Sequence, residues 1–242
     1  MAQACAEQDL KTFFEEIGSR YDTITNTKSF QYFLKRRRQY LQEWLADGSM
    51  QGERLVVDLA AGTGTYSDSI SRSDRLINMD LSFNALRAGP GGASAPARVN
   101  ANALRIPLRD RSVDVLLMIG LCHHVPGRLA ALFQEAVRVV KPGGTILIDE
   151  ANAYNVLWFV MMRTCEIDRI GTRPLFPLQL KRLARRFGLT VARERYWGFA
   201  PPFSEHRAVR SFFRRVESAL ENSVLCRLCI RYSVMFTTAP MA

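Results

Sequence analysis

Between residues 53 and 150 the chain alternates short apolar runs with amphipathic segments, and that rhythm constrains the fold more than any other feature. The runs 53–60 (ERLVVDLA), 75–81 (RLINMDL), 98–100, 112–121 (SVDVLLMIGL) and 145–150 (TILIDE) read as strands. They have the length of strands and are rich in β-branched residues. Between them come a short helix ending at Ala88, a Gly/Ala/Pro loop at 89–97, and a helical pattern from Arg128 to Val140 stopped by the KPGG turn at 141–144. Strands that alternate with helices connect by right-handed crossovers, which gives a parallel sheet covered on both faces. Two further strands are expected at 189–196 and 231–238, with a basic amphipathic helix over His206–Glu221. One or two helices over Phe14–Trp44 precede the sheet. The expected architecture is α/β: a Rossmann-like, mostly parallel sheet of about seven strands with helices on both faces. A helical N-terminal extension is expected over 1–48, and a domain over 49–242 with an inserted segment at 151–180.

Composition narrows the class. With 48% apolar residues in 242 the chain can bury a full core, so it is not a disordered polymer. The longest candidate for a spanning segment, Val156–Met162, falls far short of the roughly 18 residues a bilayer requires. The N-terminal stretch carries acids and no apolar signal core, so a cytoplasmic protein is the expectation. Five irregularly spaced cysteines suggest no disulfide framework, and the Cys226-x-x-Cys229 pair lacks the partners of a zinc site, so no metal is expected. Charge is uneven: from Arg163 onward stand 15 basic and 6 acidic residues, and Lys35-Arg36-Arg37-Arg38 forms a second basic cluster. Such surfaces favour anionic partners, whether a phosphorylated substrate, a membrane surface or RNA; DNA is not expected. Lys181, Arg182, Arg185 and Arg186 fall on one face of an amphipathic segment that suits phosphates or an anionic bilayer.

The chemistry concentrates at Val56-Val57-Asp58-Leu59-Ala60-Ala61-Gly62-Thr63-Gly64-Thr65-Tyr66. Small residues in a turn after the first strand let the backbone touch a ligand at the carboxyl end of the sheet. The spacing is shorter than that of dinucleotide binders, and no phosphate-gripping Lys-Ser/Thr follows. A carboxylate just before the glycines disfavours a pyrophosphate and favours a cation. Asp58 suits an ammonium group, and Asp80, at the next strand end, suits ribose hydroxyls. Asn102 and Ala103 suit an adenine edge, with Ile106 and Ile119 packing on its faces.

These residues resemble the class I S-adenosylmethionine-dependent methyltransferases, in the broad group that includes ubiquinone/menaquinone C-methyltransferases and small-molecule methyltransferases. NALRIPLRDRSVDVLLMIGLCHHV and EAVRVVKPGGTILI resemble the family's loop, fourth strand, helix and fifth strand, and FFEEIGSRYDTITN resembles its N-terminal lid. The resemblance implies S-adenosyl-L-methionine as cofactor. It assigns Tyr21, Asp58, Ala60, Ala61, Gly62, Thr63, Gly64, Asp80, Leu81, Asn102, Ala103 and Ile119 to its binding. Ala60 stands where the family usually has Gly, and Asn102 where it usually has Asp. His124, His123 and Glu150 follow the fourth and fifth strands and are the candidates for proton transfer or acceptor binding. The expected reaction is methyl transfer to oxygen or carbon of a small or lipid-like metabolite, which the apolar segment 153–162 would cap. An RNA acceptor and an inactive cofactor-binding partner subunit are the alternatives.

Overall fold

The computed structural model describes residues 2–18, 20, 23, 28–46, 52–92, 95–156, 158, 160, 172–198 and 206–240. Seven strands form one sheet in the order β3-β2-β1-β4-β5-β7-β6. They are β1 (Leu55–Leu59), β2 (Arg75–Asp80), β3 (Ala97–Asn100), β4 (Val113–Ile119), β5 (Val140–Ala151), β6 (Thr190–Trp197) and β7 (Arg231–Thr237). The first five pair in parallel, while β7 inserts antiparallel between β5 and β6. Strand order reverses between β1 and β4, so a crevice opens at the carboxyl ends of these two strands.

The central strand explains why the sheet is covered on both sides. All seven residues of β4 are buried, so neither face meets water. Val57, Leu59, Leu116 and Met118 join one core cluster; Val56, Val115, Leu117 and Ile119 join another. Alternate residues of a strand point to opposite faces, so the two clusters are the two sides of the sheet. Helix α4 (Leu129–Val139) buries Leu132, Phe133, Ala136 and Val139 in the first cluster, and helix α5 (Pro177–Arg186) adds Leu180 and Ala184. Helix α2 (Lys28–Ala46) covers the other side through Leu34, Leu41, Trp44 and Leu45. Each fully buried large side chain of this kind contributes about 1.5–3 kcal/mol relative to exposure. Two more helices, α1 (Ala2–Gly18) and α3 (Phe83–Ala88), meet beside β2, and α6 (Arg207–Glu221) packs near β6.

Two expectations change. The KPGG segment does not separate a helix from a strand; it is a bulge inside the twelve-residue β5. Val140 already pairs with Val113, the next pair is Thr145 with Val115, and residues 141–144 loop out. Gly143, at φ 75°, makes that excursion, and Lys141 Nζ anchors it on Asp114 at 2.8 Å.

The Lys35–Arg38 cluster is the second change, because three of its four cations point into the protein. Arg36 pairs with Glu217 and, at 2.9 Å, with Glu221 of α6. Arg37 reaches buried Asp149 at 2.8 Å, and Arg38 Nη2 donates to the Thr65 carbonyl at 2.8 Å. Lys35 alone of the four is exposed. The cluster is an internal clamp from α2 to α6, β5 and the glycine loop.

Candidate functional site

The carboxyl ends of the parallel strands carry a row of acids. Asp58 stands one residue before the end of β1, Asp80 ends β2, and Asp149 and Glu150 fall near the end of β5. Each has a different environment, and the differences assign their chemistry.

Asp58 is 2% exposed, and its Oδ2 has no hydrogen-bond partner among the described residues. Burial, and then the charge of Asp80, pushes its pKa up to about 7. A buried carboxylate left open on one oxygen beside a second carboxylate is a site for a cation. Asp80 is more committed: its Oδ2 accepts the Gly62 N–H and its Oδ1 the Ser82 N–H, both at 2.8 Å. Burial raises the Asp80 pKa, while these amide bonds oppose the rise. Asp80 thereby ties the glycine loop to the start of α3, and each oxygen keeps a lone pair for a ligand hydroxyl.

The loop itself takes left-handed backbone at three positions: Ala60 (φ 67°), Gly62 (φ 57°) and Gly64 (φ 80°). At Gly64 a Cβ would come within 2.6 Å of Asn78 Nδ2, so only glycine fits. Ala60 adopts the same kind of backbone with a methyl attached, at a cost of about 1 kcal/mol. The amides of Ala60 and Ala61 both donate to the Met79 carbonyl, at 2.8 and 3.1 Å, which holds the strained turn. Thr63 is buried, and Arg38 caps the far end of the loop at Thr65.

Leu81 follows Asp80, and its carbonyl accepts from Asn100 Nδ2 at 2.9 Å. Glu15 of α1 caps α3, accepting the amides of Phe83 at 2.8 Å and Asn84 at 3.0 Å and the Ser82 hydroxyl at 3.2 Å. Burial acts to raise the Glu15 pKa, but these three hydrogen bonds outweigh it and leave it below the ordinary glutamate value. No sequence pattern announced this clamp between α1 and α3. Tyr21 lies outside the described residues.

In the loop after β3, Asn102 Oδ1 accepts the Leu104 amide at 2.9 Å, so one side of its carbonyl closes a turn. Ala103 packs at the edge of the first core cluster. Arg138 and Glu135 of α4 hold this loop from beneath through the Ile106 and Leu108 carbonyls and the Ile106 amide. Ile106 and Ile119 are not brought together: they belong to the two clusters on opposite faces of the sheet, so they do not form one adenine slot.

After β4, residues 122–124 form a single tight turn. Glu150 Oε1 accepts the Cys122 amide at 2.6 Å, and Oε2 lies 2.5 Å from His123 Nδ1. Glu150 is 1% exposed and His123 5%, so this pair is internal. The next ring, His124, lies 4.1 Å from that of His123 and 5.0 Å from Phe14 of α1. Its Nδ1 is buried without a partner among the described residues. Burial, then the neighbouring His123, holds its pKa well below the ordinary imidazole value, so the ring is neutral at pH 7. Asp149 serves structure instead. Burial would raise its pKa, but Arg231 and Arg37 hold it below the ordinary value, and Ser233 and Trp197 also bond it.

The cap segment is described in part. Trp158 packs on the cluster of Phe33, Tyr40, Trp197 and Ile230, with its Nε1 buried and unpartnered among the described residues. Phe159, Met161 and Met162 lie outside the described residues. Cys122, Cys226 and Cys229 are free thiols, and no metal-binding group of side chains occurs among the described residues.

Residues 57–148 match the family described as Methyltransferase domain. Demethylmenaquinone methyltransferase of Thermobifida fusca is 38% identical over 59% of this chain and 61% of its own length. That of Shouchella clausii is 28% identical over 77% of this chain and 79% of its own length. A ubiquinone/menaquinone biosynthesis C-methyltransferase of Syntrophotalea carbinolica is 31% identical over 59% and 61%. The chain thus spans less than two thirds of the first and third of these relatives. Among solved structures, magnesium protoporphyrin IX methyltransferase from Synechocystis, with bound SAH, superposes with a TM-score of 0.69. It is 10% identical, covering 97% of this chain and 100% of that one, which shows a shared fold.

Proposed function

We propose that this chain is a class I S-adenosylmethionine-dependent methyltransferase that methylates a quinone-like, lipid-like ring at carbon or oxygen. The observation that carries the cofactor half of this reading is the orphaned Oδ2 of buried Asp58 beside Asp80, a pair that lacks a counter-cation among the described residues. An ammonium fits the first carboxylate and a ribose diol the free lone pairs of the second. Ala60–Gly64 brings backbone against the same ligand, Asn102 and Ala103 offer the adenine edge, and the N-terminal helices α1 and α2 act as the lid. When bound, S-adenosylmethionine supplies a methyl group already activated on a sulfonium.

What remains for the chain is to hold an acceptor in line and manage one proton. His124, neutral and open at Nδ1, is the proton acceptor in this reading. Glu150 fixes His123 and the Cys122 amide, so it positions the turn that carries His124. The quinone-like acceptor class rests on the names of the relatives and on the apolar segment beyond β5.

Incubation of the chain with S-adenosylmethionine and demethylmenaquinone, followed by mass spectrometry, tests the reading. A product heavier by one methylene supports it. Cofactor binding without methylation of this acceptor or of any small molecule in an extract overturns the enzymatic half.

A further inference from the structure

Beyond the carboxyl end of β5, three segments that are distant in sequence meet and expose apolar side chains together. The first is the stretch after β5, with Val156 at 73% exposure; the second is the turn before α5, with Phe176 at 40%. The third is the short helical turn Val224–Leu228, where Val224 is 93%, Leu225 52% and Leu228 47% exposed. Hydrogen bonds hold the three as one surface. Asn155 Nδ2 donates to the Leu228 carbonyl at 2.6 Å, and Asn152 Nδ2 to the carbonyls of Arg227 and Cys229 at 2.9 and 2.7 Å. The Tyr154 and Phe176 rings lie 5.5 Å apart, and Ala153 N–H donates to the Leu175 carbonyl at 3.2 Å.

A turn that leaves Val224 almost wholly and Leu225 and Leu228 about half exposed to water costs hydration free energy. The charges around it have one sign. Arg227 stands on the same turn, and Arg173 and Arg182, both exposed, lie three residues before and six residues after Phe176 in the chain. Among the described residues of 152–197 and 222–240 the only acid is Glu194. Glu194 is already bound by Lys181 at 2.8 Å and by the Tyr232 hydroxyl at 2.7 Å. Apolar tips on segments that carry exposed arginines, and no acid but the already bound Glu194 among the described residues of these segments, are complementary to an anionic lipid surface, where apolar groups enter the acyl boundary and guanidinium groups meet phosphates. No helix among the described residues is long and apolar enough to cross a membrane, so the contact is peripheral.

We propose that the surface formed by Val156, Phe176, Val224, Leu225 and Leu228, together with Arg173, Arg182 and Arg227, docks this protein on the face of an anionic bilayer. It lies past the end of β5, at the same end of the sheet as Glu150, so docking turns the candidate acceptor end toward the lipid. The proposal goes beyond the methyltransferase reading and fails separately from it, since vesicle binding requires no turnover.

The test is co-sedimentation of the full chain with phosphatidylcholine vesicles, with and without phosphatidylglycerol. The expected result is retention on the anionic vesicles that weakens as salt is raised. Val224→Ser with Leu225→Ser should reduce it at least tenfold, while thermal stability and S-adenosylmethionine affinity by calorimetry stay unchanged. Arg182→Gln should weaken binding at low salt only. Absence of retention on anionic vesicles overturns the proposal, as does equal retention of the double serine variant. So does a chain that is dimeric in light scattering and becomes monomeric on the same double substitution, because the face would then be an interface between copies. Loss of S-adenosylmethionine binding in the wild-type chain would overturn the cofactor reading and leave the docking result standing.

Discussion

Replacing Asp58 with asparagine should strengthen the fold and cripple the site, and the size of both effects follows from one buried carboxyl. An ordinary aspartate titrates at 3.8, and burial beside Asp80 pushes this one to about 7. Between those values the unfolded chain has released the proton while the folded chain retains it. Unfolded chains therefore bind fewer protons, and stability falls as pH rises across that window. Above pH 7 the accumulated cost is at most about 4 kcal/mol. The asparagine side chain is isosteric and carries no charge, so the gain of Asp58→Asn should be near zero at pH 4 and grow to its full size by pH 8. In a chain of this length that corresponds to roughly 10 °C in melting temperature. Cofactor binding should move the other way. Loss of a charge-assisted contact to an ammonium costs about 1.5–3 kcal/mol, or roughly 10- to 100-fold in Kd. Scanning calorimetry from pH 4 to 8 with titration calorimetry at pH 8 reads both quantities. A variant that melts lower than wild type at pH 8, or binds S-adenosylmethionine equally well, would refute the reasoning.

Ala60→Gly removes a Cβ from left-handed backbone and should stabilise the fold by about 1 kcal/mol, measured by urea unfolding, with cofactor affinity retained. Arg38→Met frees the Thr65 carbonyl and should weaken S-adenosylmethionine binding roughly tenfold in calorimetry, whereas Lys35→Met, at an exposed position, should leave it unchanged. His124→Gln should lower turnover about 100-fold with little change in cofactor Kd, read by steady-state kinetics. Because His124 is held neutral below its unfolded value of 6.5, it stabilises the fold above pH 6.5, and that stability is lost as pH falls from there. The melting temperature of His124→Gln relative to wild type should therefore improve progressively below pH 6.5.

The sequence made most of the sheet legible because its signals are local. Short apolar runs became β1 to β5, and the later runs became β6 and β7 within a residue or two of their expected bounds. The glycine loop and the two acids at successive strand ends were readable for the same reason: a turn that needs positive φ shows in its residue types. What stayed hidden depends on partners far along the chain. Arg36 meets Glu217 and Glu221, and Arg37 meets Asp149, so a basic run that looks solvated is internal. The Glu15 cap crosses from α1 to α3, which no spacing rule anticipates. Ile106 and Ile119 were expected to share a ligand, but strand parity sends Ile119 to the opposite face from Ile106. KPGG reads locally as a stop, yet pairing of Val140 with Val113 draws it into β5 as a bulge.

Titration calorimetry of the intact chain at pH 8, with S-adenosylmethionine in one series and NAD in another, tests the central claim most directly. A cation-binding crevice at the switch between β1 and β4 predicts saturable one-to-one binding of S-adenosylmethionine, weakened by Asp80→Ala, and no heat with NAD. Binding of NAD with none of S-adenosylmethionine at millimolar ligand would contradict the assignment of Asp58 and Asp80.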